Sequence, residues 1–350
     1  MRLLSAVTNS ELKPTDNIIE RIYSCLLCGA CSGQCPAGVD IMEAIYHGRW
    51  LLHQTDKWNR RLRMAVGFAV RRPAFSREIF RLSQPFIRPF LVKKGLIGEG
   101  FYIERDPLHK LGSVFSPQDS RVKRGRIVLF AGCNINYLSP HLGESLIRVM
   151  NSLDFEVVLI NGEVCCGAPL LGLGMRDEAR EFATRNIKTF KGLKADYIVS
   201  LCPTCVVTLR KEYPELTGEG IDATDTVSFL SEHLDPEPSI SIRASYHDPC
   251  HSIYGLDQKN EPRDLLKGIG VDLIDMESGC CGFAGTFSIR HRELSELMLK
   301  NRSRMFEETG AEILVTSCPG CMLQLSKSIN HERIFHIIEI VEEAMTNLNG

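Results

Sequence analysis

The sequence predicts an α/β chain: a small helical cysteine module followed by two duplicated βαβ lobes, each on a parallel sheet. Three observations predict it. One cysteine phrase occurs twice. Cys133, Cys165-Cys166-Gly167 and Cys202-Pro203-Thr204-Cys205 recur as Cys250, Cys280-Cys281-Gly282 and Cys318-Pro319-Gly320-Cys321. The offset stays within 115–117 residues, and self-similarity at a fixed period marks a repeated structural unit. In both copies short apolar runs alternate with helical stretches, the pattern of parallel strands joined by crossover helices. Four more cysteines form a tighter run near the N-terminus, outside the repeat. This divides the chain into residues 1–57 (cysteine module), 58–124 (basic helical connector), 125–238 (first lobe) and 239–350 (second lobe).

Bulk properties narrow the class. The 350 residues suffice for two or three domains with buried cores. A net charge of −2 implies no general attraction to nucleic acid. No apolar run reaches the ~18 residues of a membrane span. The N-terminal MRLLSAVTNSELKPTD has neither the apolar core nor the cleavage site of a leader. Fourteen cysteines without a leader fit a reducing, cytoplasmic setting better than a disulfide framework. The neighbours Cys165 and Cys166 are also poor disulfide partners, with Cα atoms ~3.8 Å apart where a bridge usually needs 4.4–6.8 Å. Five crowded thiolates need a positive charge among them, so metal is favoured over disulfide.

Taken in order, residues 1 to about 7 read as a helix, followed by a polar turn at Thr8-Asn9-Ser10. Thr15 or Asp16 caps a second helix, in which Ile18, Ile19, Ile22 and Tyr23 recur at helical spacing. That helix leads into Cys25, Cys28, Cys31, Cys35 and Pro36, the spacing C-x2-C-x2-C-x3-C-P. Bacterial ferredoxins use this run for a cubane [4Fe–4S] cluster. Zinc competes at any Cys-x-x-Cys, but it usually takes four ligands at tetrahedral spacing. A third helix runs from Asp40 to about Leu52, with Ile41, Ala44 and Ile45 expected inward. In two-cluster ferredoxins the fourth cysteine ligates the other cluster. Cys35 therefore folds back, or a partner supplies a thiol, or an upstream segment does.

Residues 58–94 carry ten Lys and Arg against the single acid Glu78, interleaved with Met64, Val66, Phe68, Val70, Phe75, Ile79, Phe80, Phe86, Ile87 and Phe90. One reading is an amphipathic face for a membrane or an acidic partner. The favoured one is a connector whose apolar side packs on the lobes, with Pro73, Pro85 and Pro89 breaking any long helix. Residues 95–124 read as a linker.

The first lobe has expected strands at 127–130, 156–160 and 197–201, with helices near 139–153 and 175–193. Each cysteine group follows a strand's C-terminal end, where open α/β sheets bind ligands. Cys205 is expected to open a helix over 205–213, whose positive end favours thiolate. The second lobe repeats this with strands at 243–246, 271–275 and 313–316. Its helices fall near 261–268, 290–309, 321–329 and 336–347. His247 and His251 flank Cys250; ligation, proton relay and hydrogen bonding are all open, and the supporting role is favoured. Gly172-x-Gly174 lacks the third glycine of a dinucleotide fingerprint. No flavin, Walker or serine-nucleophile motif occurs.

The stretches CLLCGACSGQCPAGVD, LFAGC, VCCGAPL, CPTC, YHDPCH, GCCGFAGTF and CPGC carry a resemblance. The doubled phrase resembles the cysteine-rich CCG domain of heterodisulfide reductase, in its B- and D-type polypeptides. With a ferredoxin-type module in front, the order resembles the iron–sulfur subunit of glycolate oxidase and of lactate-utilisation complexes. The resemblance implies one iron–sulfur cluster, of non-cubane type, held by Cys133, Cys165, Cys166, Cys202 and Cys205. It implies a second held by Cys250, Cys280, Cys281, Cys318 and Cys321, with zinc in one lobe of some relatives. Two ferredoxin motifs usually precede the repeat in that family; this chain has the second, so an upstream motif is expected to be missing. The implied activity is electron transfer within a larger complex. A FAD-containing partner oxidises glycolate or lactate, and electrons pass to a quinone or other acceptor at the inner membrane face, with a further iron–sulfur subunit as an optional partner. The alternative is a heterodisulfide-reductase-like subunit that cleaves a disulfide at a CCG-bound cluster. A scaffold stabilised by zinc and iron is the non-enzymatic reading.

Overall fold

The computed structural model describes all residues except 1, 10, 58, 104, 105, 109–111, 118–122, 238 and 350. Met1 and Ser10, read above as part of the first helix and its turn, lie outside the described residues. Two mixed α/β units carry the two cysteine phrases. The first sheet runs β1(Val114–Phe115), β3(Phe155–Leu159), β2(Gly125–Leu129), β4(Tyr197–Ser200), β5(Thr224–Asp225). The second runs β7(Asp272–Leu273), β6(Arg243–His247), β8(Ile313–Thr316), β9(Ile334–His336). Every pairing is parallel except β1 with β3. Without β1 the two orders are the same, as duplication requires.

The registers confirm the copy. Leu129 pairs with Val199 in the first sheet and Tyr246 with Val315 in the second, so Phe130 and His247 occupy the same place. At that place the same polar contact recurs. The Ser200 hydroxyl donates to the Phe130 carbonyl at 2.9 Å, and the Thr316 hydroxyl to the His247 carbonyl at 3.0 Å. β5 and β9, of two and three residues, are too short to leave a periodic signal. β1 comes from the segment expected to be linker.

The two sheets share a core. Ile127, Leu129, Val157 and Val199 of the first unit join Ala244, Tyr246, Val315, Ile338 and Val341 of the second. Helix Ile337–Asn349 packs on helix Pro140–Ser152, with Arg148 paired to Glu342. On its other face each sheet closes a separate core that includes its own cysteines. One gathers Phe130, Cys165, Cys166, Leu170 and Cys205; the other gathers Cys281, Phe306, Leu314, Cys318 and Cys321.

The N-terminal segment packs against both units. Thr15 caps helix Asp16–Tyr23, whose Ile18, Ile19, Ile22 and Tyr23 are all buried. Asp40 caps helix Ile41–Leu52, but the inward face differs from the expectation: Tyr46, Arg49 and Leu52 are buried, and Ile41, Ala44 and Ile45 only half so. The reason is Arg49. Its guanidinium donates to the carbonyls of Gly172 at 2.8 Å and Cys25 at 2.6 Å, which lets a cation go inside.

The connector also departs from its reading. Helix Pro73–Lys93 runs unbroken through Pro85 and Pro89. Pro73 sits at the helix start, where no donor is needed, and the two inner prolines lie on the more exposed side. The apolar side packs on the lobes only in part: Leu62, Val66 and Val70 lie against the lobe-one core, whereas Phe75, Ile79, Leu82, Phe86 and Phe90 are exposed, Phe86 by 84%. Among the described residues no helix is long and apolar enough to cross a membrane.

Candidate metal centre

Three strands in each lobe lead into thiols. Cys133 follows β2, Cys165 and Cys166 lie in the loop after β3, and Cys202 and Cys205 follow β4. Lobe two places Cys250, the pair Cys280 and Cys281, then Cys318 and Cys321, after β6, β7 and β8. The structure brings each set of five together. Cys133 and Cys165 sulfurs are 3.6 Å apart, Cys166 and Cys205 3.4 Å, and Cys281 and Cys321 3.5 Å. Cys205 also bonds Cys202, and Cys280 bonds both Cys250 and Cys281. The two sets meet, because Cys202 of lobe one contacts Cys318 of lobe two. Cys205 does not open its helix as expected: Pro203 does, with Cys202 at the cap and Cys205 inside the first turn. The glycine after each pair is required. Gly167 and Gly282 have φ of +95° and +82°, and a Cβ on Gly282 would lie 2.8 Å from the Ser295 carbonyl oxygen.

Crowding splits the thiols into donors and acceptors. Bonds from Cys165 and then Cys205 push Cys166 well below the ordinary thiol range, and bonds from Cys205 and Cys318 do the same to Cys202. Cys165 and Cys205 go the other way, Cys165 chiefly through its bond to Cys133 and Cys205 chiefly through its bond to Cys166. In lobe two, Cys250 and Cys281 donate to Cys280 and bring it down to about 3, while Cys281 is pushed up to about 12 by Cys280. Cys250 and Cys318 are raised by their bonds to Cys280 and Cys202, and Cys321 by its bond to Cys281. Such a nest ionises only in part on its own. A soft cation removes the conflict, since a metal-bound thiol is deprotonated outright.

The N-terminal run lies beside lobe two. Cys28, raised by burial, feels the charges of Cys280, Cys25 and Cys31. Cys25, Cys28 and Cys35 are half-buried and Cys31 is exposed. Gly29 fits because a Cβ there would come within 3.2 Å of the Met42 sulfur and 3.3 Å of Tyr254. A cavity of about 480 Å³ opens where the three cysteine groups converge. Its wall holds ten of the fourteen cysteines, including Cys28, Cys166, Cys202, Cys250 and Cys318.

Two flanking histidines separate in role. His251 bridges all three parts: its Nδ1 lies 3.0 Å from the Thr204 hydroxyl, and the ring bonds the Leu27 backbone. Leu27 has φ of +53°, a strained value for a branched side chain, and His251 helps to hold it. His247 is fully buried, and neither ring nitrogen has a hydrogen-bond partner. Its ring nitrogen, Cys281 Sγ and Cys321 Sγ lie within 4.8 Å of one another. Burial, then Arg302, keeps this imidazole neutral, near a pKa of about 4.

Sequence reasoning missed the acids behind the thiols. Glu163 accepts from the backbone N–H groups of Gly132 at 2.6 Å and Ala131 at 3.3 Å, and burial pushes it up to about 8. In lobe two, Asp248 takes Arg263 in a two-pronged pair at 2.8 Å and Ser278 at 2.9 Å. Aligning the copies would have exposed this: Glu163 aligns with Ser278, and Ala131 with Asp248.

The residues present fit a thiolate-held metal group. All fourteen cysteines are free, ten sit in two buried or half-buried nests, and an unpartnered imidazole faces one nest. Fold and site thus define a tandem cysteine-rich protein. Two stretches of the chain, residues 127–210 and 244–326, match the cysteine-rich CCG domain, one in each lobe. It is 29% identical over 339 residues to a polypeptide of the fumarate reductase (CoM/CoB) from Methanothermobacter marburgensis, covering 94% of this chain and 62% of that protein. It is 32% identical over 244 residues to a polypeptide of the anaerobic glycerol-3-phosphate dehydrogenase from Escherichia coli K12, covering 63% and 60%. Lactate utilization protein A of Bacillus subtilis is 27% identical over 237 residues, covering 62% of this chain and 98% of that protein. The chain spans about three fifths of the length of the first of these relatives.

Proposed function

We propose that this chain is an iron–sulfur electron-transfer subunit of an oxidoreductase complex. In finer form, a FAD-containing partner oxidises a 2-hydroxy acid such as glycolate or lactate, and electrons leave for a quinone or another acceptor. The observation that carries the reading is the convergence of ten cysteines, from three parts of the chain, on one cavity. Cys25, Cys28, Cys31 and Cys35 hold the cubane-type cluster, and each lobe's five cysteines hold one further group. A bound iron–sulfur group supplies one-electron storage at a potential set by its surroundings. The protein does the rest. Glu163 anchors the Gly132 turn beside Cys133, His251 fixes the Leu27 backbone beside Cys28, and the Cys202–Cys318 contact joins the lobes. The relatives' names, components of a reductase and a dehydrogenase, support the class of activity.

Anaerobic purification with iron, sulfide and zinc analysis tests this. The expected result is several irons per chain and a reducible visible spectrum. Iron near zero overturns it and leaves the scaffold reading. A second reading is a disulfide-cleaving subunit, favoured by the nests facing one cavity across the lobe boundary. Reduction of a low-molecular-weight heterodisulfide by the isolated, chemically reduced chain would decide for it.

The exposed apolar ridge bears on the acceptor. Met64, Phe68, Phe75, Ile79, Leu82, Phe86 and Phe90 form one stripe over helices Asn59–Arg71 and Pro73–Lys93, flanked by Arg71, Arg72, Lys93 and Lys94. Lone exposed apolar residues are ordinary, but a contiguous stripe of this size marks a contact surface. Its basic flanks and single acid, Glu78, which pairs with Arg81, complement an anionic bilayer. Gly95 and Leu96, just past the helix end, line the cysteine cavity, which suits a lipid-borne acceptor. The chain should float with vesicles containing anionic lipid, less so in high salt. Phe86→Glu with Phe90→Glu should abolish floating. Absence of floating with any vesicle rules out the membrane contact.

A further inference from the structure

We propose that His247 donates a ring nitrogen to the metal of lobe two, so that the two lobes hold unlike centres: all-thiolate in lobe one, mixed thiolate–imidazole in lobe two. This rests on the metal reading given above and adds a ligand to it.

The first ground is geometric. One ring nitrogen of His247 and the sulfurs of Cys281 and Cys321 all lie within 4.8 Å of one another, close enough for one ion to take all three after small shifts. The second is an unmet need. His247 is fully buried, and both its nitrogens lack a partner. Leaving a buried polar group unpaired is costly, so such groups point to a missing ligand. The other buried histidine at a strand end meets its need: His336 Nε2 lies 3.2 Å from the Leu201 carbonyl, and its Nδ1 accepts from Ile338 N–H at 3.2 Å. His251 is likewise engaged, by Thr204 and the Leu27 backbone. His247 alone of these three keeps both nitrogens unpartnered beside thiols.

The third ground is the duplication. Phe130 fills the His247 position in lobe one, with its carbonyl held by the equivalent hydroxyl. The site thus accepts an apolar ring of similar size without loss of fold. A buried imidazole there has no packing advantage over phenyl, and its added chemistry is ligation. Iron and zinc both take imidazole nitrogen together with thiolate.

The test uses the full chain, purified anaerobically, with ¹⁵N-labelled histidine. Metal content is measured first. If lobe two holds iron, pulsed hyperfine spectroscopy of the paramagnetic state should give one strong ¹⁵N coupling. If it holds zinc, absorption at the zinc edge should give a sulfur–nitrogen shell. His247→Phe should abolish that nitrogen signal and speed metal loss to a chelator about 10-fold or more, leaving the far-ultraviolet spectrum unchanged. Full metal content with a sulfur-only shell, or a nitrogen signal that survives in His247→Phe, overturns the ligand assignment and leaves the metal reading standing. A chain without metal in lobe two overturns both.

Discussion

The two lobes share a frame and differ in what stands behind it. Strand order, register, the hydroxyl-to-carbonyl contact beside the first thiol and the proline-led helix at each Cys-x-x-Cys are the same in both. The supporting residues are not. The acid comes from the β3 loop in lobe one, as Glu163, and from the end of β6 in lobe two, as Asp248. Asn186 braces the Val164 and Cys165 backbone in lobe one, and at the same repeat position lobe two has Arg302, bonded to the Glu277 carbonyl. Phe130 stands where lobe two has His247. Duplication kept the thiols and let their electrostatic surroundings diverge, which is how two like centres acquire different potentials.

The sharpest way to break the comparison is to disable one nest at a time. Cys166→Ser should remove the metal of lobe one and spare lobe two, and Cys281→Ser should do the reverse, read by metal content and spectra. Loss of both lobes' metal in either variant would mean that the Cys202–Cys318 contact makes a single joint centre. Next come the acids. Asp248→Ala leaves Arg263 without its buried partner and should cost about 3 kcal/mol in urea unfolding. Glu163→Ala removes an acceptor from two backbone donors and should cost about 1–2 kcal/mol. Equal costs would mean that the two arrangements are interchangeable.

The N-terminal segment is held by different residues on its two sides. Toward lobe one it uses Arg49 on the Gly172 carbonyl and the Glu43–Arg176 pair at 2.8 Å; toward lobe two, Arg290 bonds Asp56 at 3.0 Å and Glu20 at 2.9 Å. Arg290→Ala should speed proteolytic release of this segment by about 10-fold. Salt should mimic that change in part, because Glu20 is exposed.

Most of this frame is legible in the sequence, for a physical reason. Thiol spacing and the strand-end position of each cysteine are local, and the repeat doubles every signal. What stays hidden depends on tertiary contact. The meeting of Cys202 with Cys318 needs the sheet-to-sheet packing. Arg49 reads as a surface residue until its carbonyl partners assemble around it. The prolines of helix Pro73–Lys93 read as breakers because their placement on the exposed side is invisible in the chain. His247 and His251 look alike in the sequence, and only burial and partners separate them.

A last test concerns a carboxyl that lobe one has and lobe two lacks. Glu212 is buried against the N-terminal segment, where Ser328 stands at the repeat position. Burial raises it to about 8, with Glu43, Asp40 and Glu215 adding to the rise and Arg176 opposing it; Tyr46 also faces it. A carboxyl raised from 4.5 to about 8 in the folded chain stabilises fully below pH 4.5. That contribution is lost as pH rises through 8. Glu212→Gln has no charge to form. Its stability relative to the parent should therefore grow from pH 5.5 to pH 8.5, by roughly 3 kcal/mol. Thermal unfolding of both chains, in the same metal-loaded state at pH 5.5 and pH 8.5, measures it. A constant difference across that range would mean that Glu212 stays ionised, with Arg176 outweighing burial.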